Sequence, residues 1–268
     1  MPRRSPVKPT ASHQRHGECI RRTICEGRPT VSRTEQDVNG SRVATAAPGD
    51  LLRRRHALVV VLTFLTGSAD AVGFLSLGGA FSSVMTGNMV LLGLSAGRGD
   101  AELAVTSGCA ILSFIVGVLA GARLAGSAQP DDPVWPRQVN RALTLELLVF
   151  VVFVVVWELN LPEHSERVDL VLLMLSAAAL GVQSSAIQRF GVPGLSSTYL
   201  TGTLTSLIGG VAARSPWHML RPKAQVLLAL MAGAAVGALA ALHLTAFAPA
   251  LLIVPLLLVI AVSARFPR

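Results

Sequence analysis

Charge is scarce in this chain. Of its 268 residues only 14% are Asp, Glu, Lys or Arg, against about 25% in ordinary soluble domains. Aromatic residues are also few, at 5%, with a single Tyr. The three cysteines, Cys19, Cys25 and Cys109, provide no disulfide framework. Enzyme signatures are missing as well. There is no Gly-x-x-x-x-Gly-Lys-Ser/Thr loop, no His-Glu-x-x-His and no Gly-x-Ser-x-Gly elbow. Neither a cofactor nor a catalytic activity is therefore expected. A nucleic-acid partner is not expected either, because the body has no basic face interleaved with aromatics.

Apolar residues are abundant: 51% of the chain is hydrophobic and the mean hydropathy is +0.57. The charge that exists is unevenly spread. Residues 1–56 hold 12 of the 23 basic and five of the 15 acidic residues. The formal net charge of +8 is thus mostly a property of the N-terminal segment. Residues 1–50 are rich in Arg, Pro, Ser, Thr and Gly and too polar to offset chain entropy by burial, so a disordered basic tail is expected. No apolar core of a secretory signal follows Met1. The run His13, His16, Cys19, Cys25 lacks the paired spacing of structural zinc sites and reads as chance, so no metal site is assigned.

Residues 51–268 form the expected transmembrane domain. A bilayer core of about 30 Å takes about 20 apolar residues as helix. Eight candidate segments meet or approach this: 57–77, 80–97, 101–123, 141–159, 168–188, 195–213, 224–245 and 247–263. They fall into two copies, about 57–160 and about 168–263. Gly67 and Gly181 are 114 residues apart, the Thr-Gly pairs Thr86-Gly87 and Thr201-Gly202 are 115 apart, and Gly117 and Gly233 are 116 apart. The expected fold is an all-α bundle of six to eight spans built from two tandem repeats offset by about 115 residues.

Arg53-Arg54-Arg55 before the first span argues for a cytoplasmic N-terminus. Beyond that the charges conflict. With eight crossings, the loop bearing Arg123, Arg137 and Arg141 faces outward and the acidic stretch Glu158–Asp169 inward. If the first Thr-Gly segment does not cross, both loops move to their favoured sides. Eight crossings would make the copies parallel repeats, and that arrangement is the weak preference from sequence.

Duplicated halves with polar, Gly-interrupted segments at matching positions point to a central site in transporter-like folds. The candidate site residues are Asp70, Thr86, Gly87, Asn88, Gln183, Thr201, Gly202 and Thr203. Asp70 is the only acid deep in the first span, and acids there face cavities, partners or proton paths. Two readings stand side by side. Asp70 is a coupling carboxylate, or it caps a half-helix of its own segment that begins near Ala71 after a break at Gly67-Ser68. The Thr-Gly pairs offer uncharged hydrogen-bonding groups beside a backbone that can be approached closely. Polar stripes such as Thr201/Thr205 and Asn88/Ser95 should face protein or a water-lined cavity.

Gly117/Gly121 and Gly233/Gly237 are close-packing faces, suited to helix contacts within the chain or to a homo-oligomer. Glu146, just inside a span after Arg141, reads as a snorkelling or Arg-paired group. Gln188 and Arg189 read as loop residues, and His243 as interfacial.

Two stretches resemble the signature of the YoaK-like family of bacterial integral membrane proteins. The first is Leu62 to Phe74 followed by Met85-Thr86-Gly87-Asn88. The second, Leu180 to Ala186 followed by Leu200-Thr201-Gly202-Thr203, is similar to that family's second-half motifs. The resemblance covers about residues 55–265 and departs at Ser184 or Ser185, where the family usually has Asn or a similar residue. It implies an all-helical protein of the bacterial inner membrane and supplies no substrate. The leading expectation is a transporter- or permease-like protein for a small polar solute or ion. The alternative is a non-transporting scaffold or regulatory subunit whose basic tail meets anionic lipid or protein.

Overall fold

The computed structural model describes residues 48–129, 132–161, 165–190 and 200–266. Most of the basic tail, the His13–Cys25 run and residues 191–199, which include Ser197 to Tyr199, lie outside the described residues. The described chain is all-α. Its helices are α1 (Pro48–Ser76), α2 (Met85–Arg98), α3 (Ala101–Ala125), α4 (Arg137–Leu159), α5 (Glu166–Gln188), α6 (Leu200–Ala212), α7 (Trp217–His243) and α8 (Ala250–Ser263). A single 3-10 turn, Thr245–Phe247, leads into α8.

Six of these are long and apolar enough to cross a membrane: α1, α3, α4, α5, α7, and α8 together with its leading turn. The 14-residue α2 and 13-residue α6 are not. At 1.5 Å per residue they reach about 20 Å, against about 30 Å of hydrocarbon. The Thr-Gly segments are therefore short helices between long ones, and the eight-crossing arrangement gives way to six. Large apolar side chains on the outer faces, such as Leu112, Val116, Met231 and Leu239, are exposed, as a lipid-facing surface requires.

The packing follows the repeat. α1 lies along α7, and α3 along α5. Each pair meets through glycines that bring backbone against backbone. A Cβ at Gly233 would overlap the carbonyl of Phe64, and one at Gly237 would meet Ser68. In the other pair, a Cβ at Gly117 would overlap Ala178, and one at Gly121 would lie 2.8 Å from the Cα of Val182. Gly67 and Gly181 close the same two contacts from the opposite side, against Leu230 and Phe114. Hydroxyls seal the crossings. Ser68 Oγ donates to the Gly233 carbonyl at 3.0 Å and Ser185 Oγ to the Val118 carbonyl at 2.8 Å. Both Gly-x-x-x-Gly faces are thus used up inside the chain, which removes them as faces for a homo-oligomer.

These contacts also fix direction. Rising residue numbers in α1 meet rising numbers in α7, so that pair is parallel, and the same holds for α3 and α5. α3 and α5 begin at the end where α1 stops, since Leu77, Gly78, Ala101 and Glu166 border one cleft. The first helix of repeat one and the first helix of repeat two therefore run in opposite directions. With three long helices in each half, the repeat is inverted, not parallel. An odd number of crossings forces this outcome.

Inversion also resolves the charge conflict. Arg53 to Arg55, Arg123, Arg137, Arg141, Arg189, Arg214, Arg221, Lys223 and Arg265 all fall at one end of the bundle. Asp100, Glu102, Glu158, Glu166 and Asp169 fall at the other, where Arg98 and Arg167 are the Lys or Arg residues among the described residues. At the basic end Trp135 packs on Phe190 and Phe266, Arg55 lies over the Phe190 ring at 5.3 Å, and His56 Nε2 is 3.1 Å from Gln225 Oε1. This is the aromatic and cationic dressing of a membrane interface.

Candidate functional site

α1 runs without a break through Gly67-Ser68 to Ser76, so the expected half-helix beginning at Ala71 is absent. The break comes after α1. Residues 77–84 leave the helix end and fold back along it until Ser82 Oγ reaches the Ala69 carbonyl, 3.4 Å away. That is a return of about 10 Å along the helix axis, at 1.5 Å per residue. Gly73 makes room for it, because a Cβ there would meet Ser82 Oγ and the Ala80 carbonyl. α2 then starts at the level of Asp70 and climbs back to the end from which α3 descends.

Non-helical backbone at such depth survives only when its polar groups find partners in protein. Two side chains provide them. Asp70 Oδ1 accepts from the Ser83 N–H at 2.7 Å and Oδ2 from Ser83 Oγ at 2.6 Å. Asn88 reaches back to Phe81, accepting from its N–H at 2.8 Å and donating to its carbonyl at 2.7 Å. Asp70 does not cap a half-helix of its own but tethers Ser83, the residue just before the N-cap of α2. The N-cap residue Val84 has no capping side chain. A carboxylate at that helix N-terminus is stabilised by the free N–H groups and the macrodipole.

One turn before Asp70, a second polar group leaves α1. The Thr66 hydroxyl lies 2.8 Å from Gln183 Oε1 on α5, and Gln183 Nε2 lies 2.8 Å from Glu146 Oε1 on α4. All three residues are buried, Glu146 completely. The second oxygen of Glu146 has no hydrogen-bond partner among the described residues. Glu146 neither snorkels nor pairs with Arg141. It points inward with Val139, Ala142, Leu143, Phe150, Phe153 and Trp157. The signal was present in the sequence, since Glu146 falls on the apolar stripe of its helix.

The expected site residues thus divide. Asp70 and Asn88 gather around the fold-back, and Gln183 joins Thr66 and Glu146 instead. Thr203, the counterpart of Asn88, is buried, and Ser184, the counterpart of Asp70, is buried too. Thr86, Thr201, Gly202 and Thr205 are exposed, and the Thr205 hydroxyl bonds back to the Thr201 carbonyl. The expectation of inward polar stripes holds for Asn88/Ser95 and fails for Thr201/Thr205. A threonine can satisfy its hydroxyl on its own helix and so needs no cavity.

Arg189 is not a loop residue but the C-cap of α5. Its guanidinium donates to the Ala125 carbonyl at the end of α3 and forms a 2.9 Å ion pair with Asp132. Two clefts open at the bundle ends. One of about 240 Å³ lies at the basic end beside Arg137, Asn140, Arg141 and Ser263. The other, of about 390 Å³, lies at the acidic end beside Glu102, Thr106, Glu166 and Asp169. Neither is lined by Asp70 or by the Thr-Gly pairs.

Residues 58–264 match a protein family described as "Protein of unknown function (DUF1275)". The chain is 36% identical over 162 residues to the UPF0700 transmembrane protein YoaK of Bacillus subtilis (strain 168), a match covering 60% of this chain and 68% of that protein. No solved structure matches the chain.

Proposed function

The chain belongs to the DUF1275 family, and from that premise we propose that this multi-pass membrane protein is a transporter-like protein for a small polar solute or ion. The observation that carries the reading is the inverted repeat whose first short helix starts at the depth of Asp70. Inverted halves with discontinuous helices near mid-membrane are the recurrent architecture of secondary transporters. The binding or coupling residues would be Asp70, Thr86, Gly87, Asn88, Gln183, Thr201, Gly202 and Thr203. In this reading Asp70 and Asn88 hold the discontinuity, and the first turns of α2 and α6 present Thr-Gly to the solute. Relative motion of the halves would change which side of the membrane those turns open to.

The basic end of the bundle would face the cytoplasm of a bacterial inner membrane, which puts the N-terminus there too. Purified protein in liposomes, screened for solute flux and for thermal stabilisation by metabolites, tests the assignment. Flux dependent on the protein is the expected result, and Asp70→Asn should abolish it if Asp70 couples an ion. Unchanged flux in that variant removes Asp70 as the coupling group. Absence of flux and of any stabilising solute across the screen removes the transporter reading.

A further inference from the structure

At membrane depth the long helices carry only two acidic residues, Asp70 and Glu146. Asp70 has both oxygens engaged. Glu146 has one engaged oxygen and one free, and it is sealed from solvent. The helices packed against α4 offer it no cation. α8 has no titratable residue within Ala250–Ser263, α5 has none between Asp169 and Arg189, and α3 has only the Cys109 thiol between Glu102 and Arg123. A bare carboxylate in such a place is costly, and a proton is the partner that fits without any further room.

The contacts around it form a chain with two complete arrangements. Thr66 Oγ1 stands within hydrogen-bond distance of two acceptors, the Leu62 carbonyl at 3.0 Å and Gln183 Oε1 at 2.8 Å, yet it has one hydrogen to give. With Glu146 ionised, the Gln183 amide donates to Glu146 and accepts from Thr66, and Leu62 loses its side-chain donor. With Glu146 protonated, its O–H donates to the Gln183 oxygen after the amide turns over. The Gln183 nitrogen then donates to Thr66, and Thr66 donates to Leu62. In that second arrangement the Glu146 and Thr66 hydroxyl hydrogens and one Gln183 amide hydrogen each find an acceptor. The two ends of an amide have the same shape, so the same heavy-atom positions serve both.

We propose that Glu146 is a proton-binding site in the bundle interior, and that Gln183 relays its state to α1 by turning its amide. Proton uptake forms one O–H bond on the carboxylate, with the proton drawn from bulk water, and breaks no covalent bond. The relay crosses the repeat boundary, because Glu146 and Thr66 belong to the first half and Gln183 to the second. It ends on α1 one turn before Asp70, the residue that holds the start of α2. The site follows from this geometry and stands whether or not a solute is moved.

Infrared difference spectra of the full-length protein in liposomes, recorded across a pH titration, read it directly. Of the carboxylic C=O bands that appear as pH falls, one should be absent in Glu146→Gln. That variant keeps the protonated arrangement, with its amide N–H in place of the acid O–H, so it should fold, and its elution profile and thermal transition verify this. Asp70→Asn should keep the band. Gln183→Leu removes the N–H donor to the ionised form and should tighten proton binding about tenfold, moving the band about one pH unit upward. A set of titrating carboxylic bands that Glu146→Gln leaves unchanged overturns the site. A band lost in Asp70→Asn and kept in Glu146→Gln moves the site to Asp70. An unmoved midpoint in Gln183→Leu overturns the relay.

Discussion

The two halves of this bundle share a scaffold and differ in chemistry. Gly67, Gly117 and Gly121 have counterparts in Gly181, Gly233 and Gly237, and all six sit at backbone-to-backbone contacts. The polar residues do not repeat in this way. Asp70 faces Ser184 across the repeat, Asn88 faces Thr203, and Thr66 faces Leu180. Glu146 has only Ala261 or Val262 at the equivalent place. Close approach of helices is a geometric demand that both halves must meet, so glycine is kept twice. A charge inside a membrane is costly, and one half is enough to carry it. Among the described residues, both membrane-depth acids, Asp70 and Glu146, lie in the first half of a two-fold frame.

The frame can be broken first. Gly117→Leu and Gly233→Leu each force a side chain into a neighbouring backbone that cannot move aside. Both should abolish recovery of monodisperse protein in size-exclusion chromatography, and to the same extent. A large difference between them would mean that the two crossings are not equivalent. Gly93→Ala and Gly202→Ala meet nothing within 4 Å. They should be neutral, or stabilising by up to about 1 kcal/mol through helix propensity.

The chemistry should break unequally. Asp70→Ala removes both bonds to Ser83 and leaves its buried N–H and hydroxyl without that partner, which should cost about 2–6 kcal/mol at roughly 1–3 per buried group. Ser184→Ala removes a single hydroxyl and should cost about 1 kcal/mol. Thermal unfolding in detergent compares the two, and equal losses would erase the asymmetry. The smallest effect belongs to Asp132, outside the membrane. The Gln129 N–H and the Arg189 guanidinium hold its carboxyl below the ordinary value, against a weaker opposing effect of desolvation. Its folded value lies below its unfolded one, so its contribution is present above the unfolded value and is lost as pH falls through the folded one. Asp132→Asn should flatten the acid limb of the stability curve slightly, its small loss being present at neutral pH and vanishing at low pH.

Much of the frame was legible because it is written in spacing. The offsets of 114 to 116 residues, the glycine faces and the long apolar runs are local patterns, and each became a helix or a crossing. The inversion was not legible from hydropathy, since a 14-residue polar helix reads alike whether it crosses or turns back. The unequal charge of the loops held that answer, and weighting it above repeat symmetry would have given it. The site was only partly legible. Asp70 and Asn88 were found because they are polar residues in apolar runs, but their partners Ser83 and Phe81 lie in a fold-back that no periodicity announces. Glu146 reads from sequence as a snorkelling or Arg-paired group because Arg141 stands nearby in the chain. Five residues apart, the two point to different faces.

The crossed pairing of helices has a consequence for how the chain is made. The bond from Ser185 to Val118 spans 67 residues, and that from Ser68 to Gly233 spans 165. As the polypeptide leaves the ribosome, α1 and α3 enter the bilayer with their glycine faces uncovered. α3 is covered when α5 arrives, but α1 waits until α7 has been made. The first three crossings are thus not an independent folding unit, and loop-closure cost makes α1 the last to settle. Early in synthesis Asp70 already has its partner Ser83, 13 residues further on, while the face that α7 will cover on the same helix stays open.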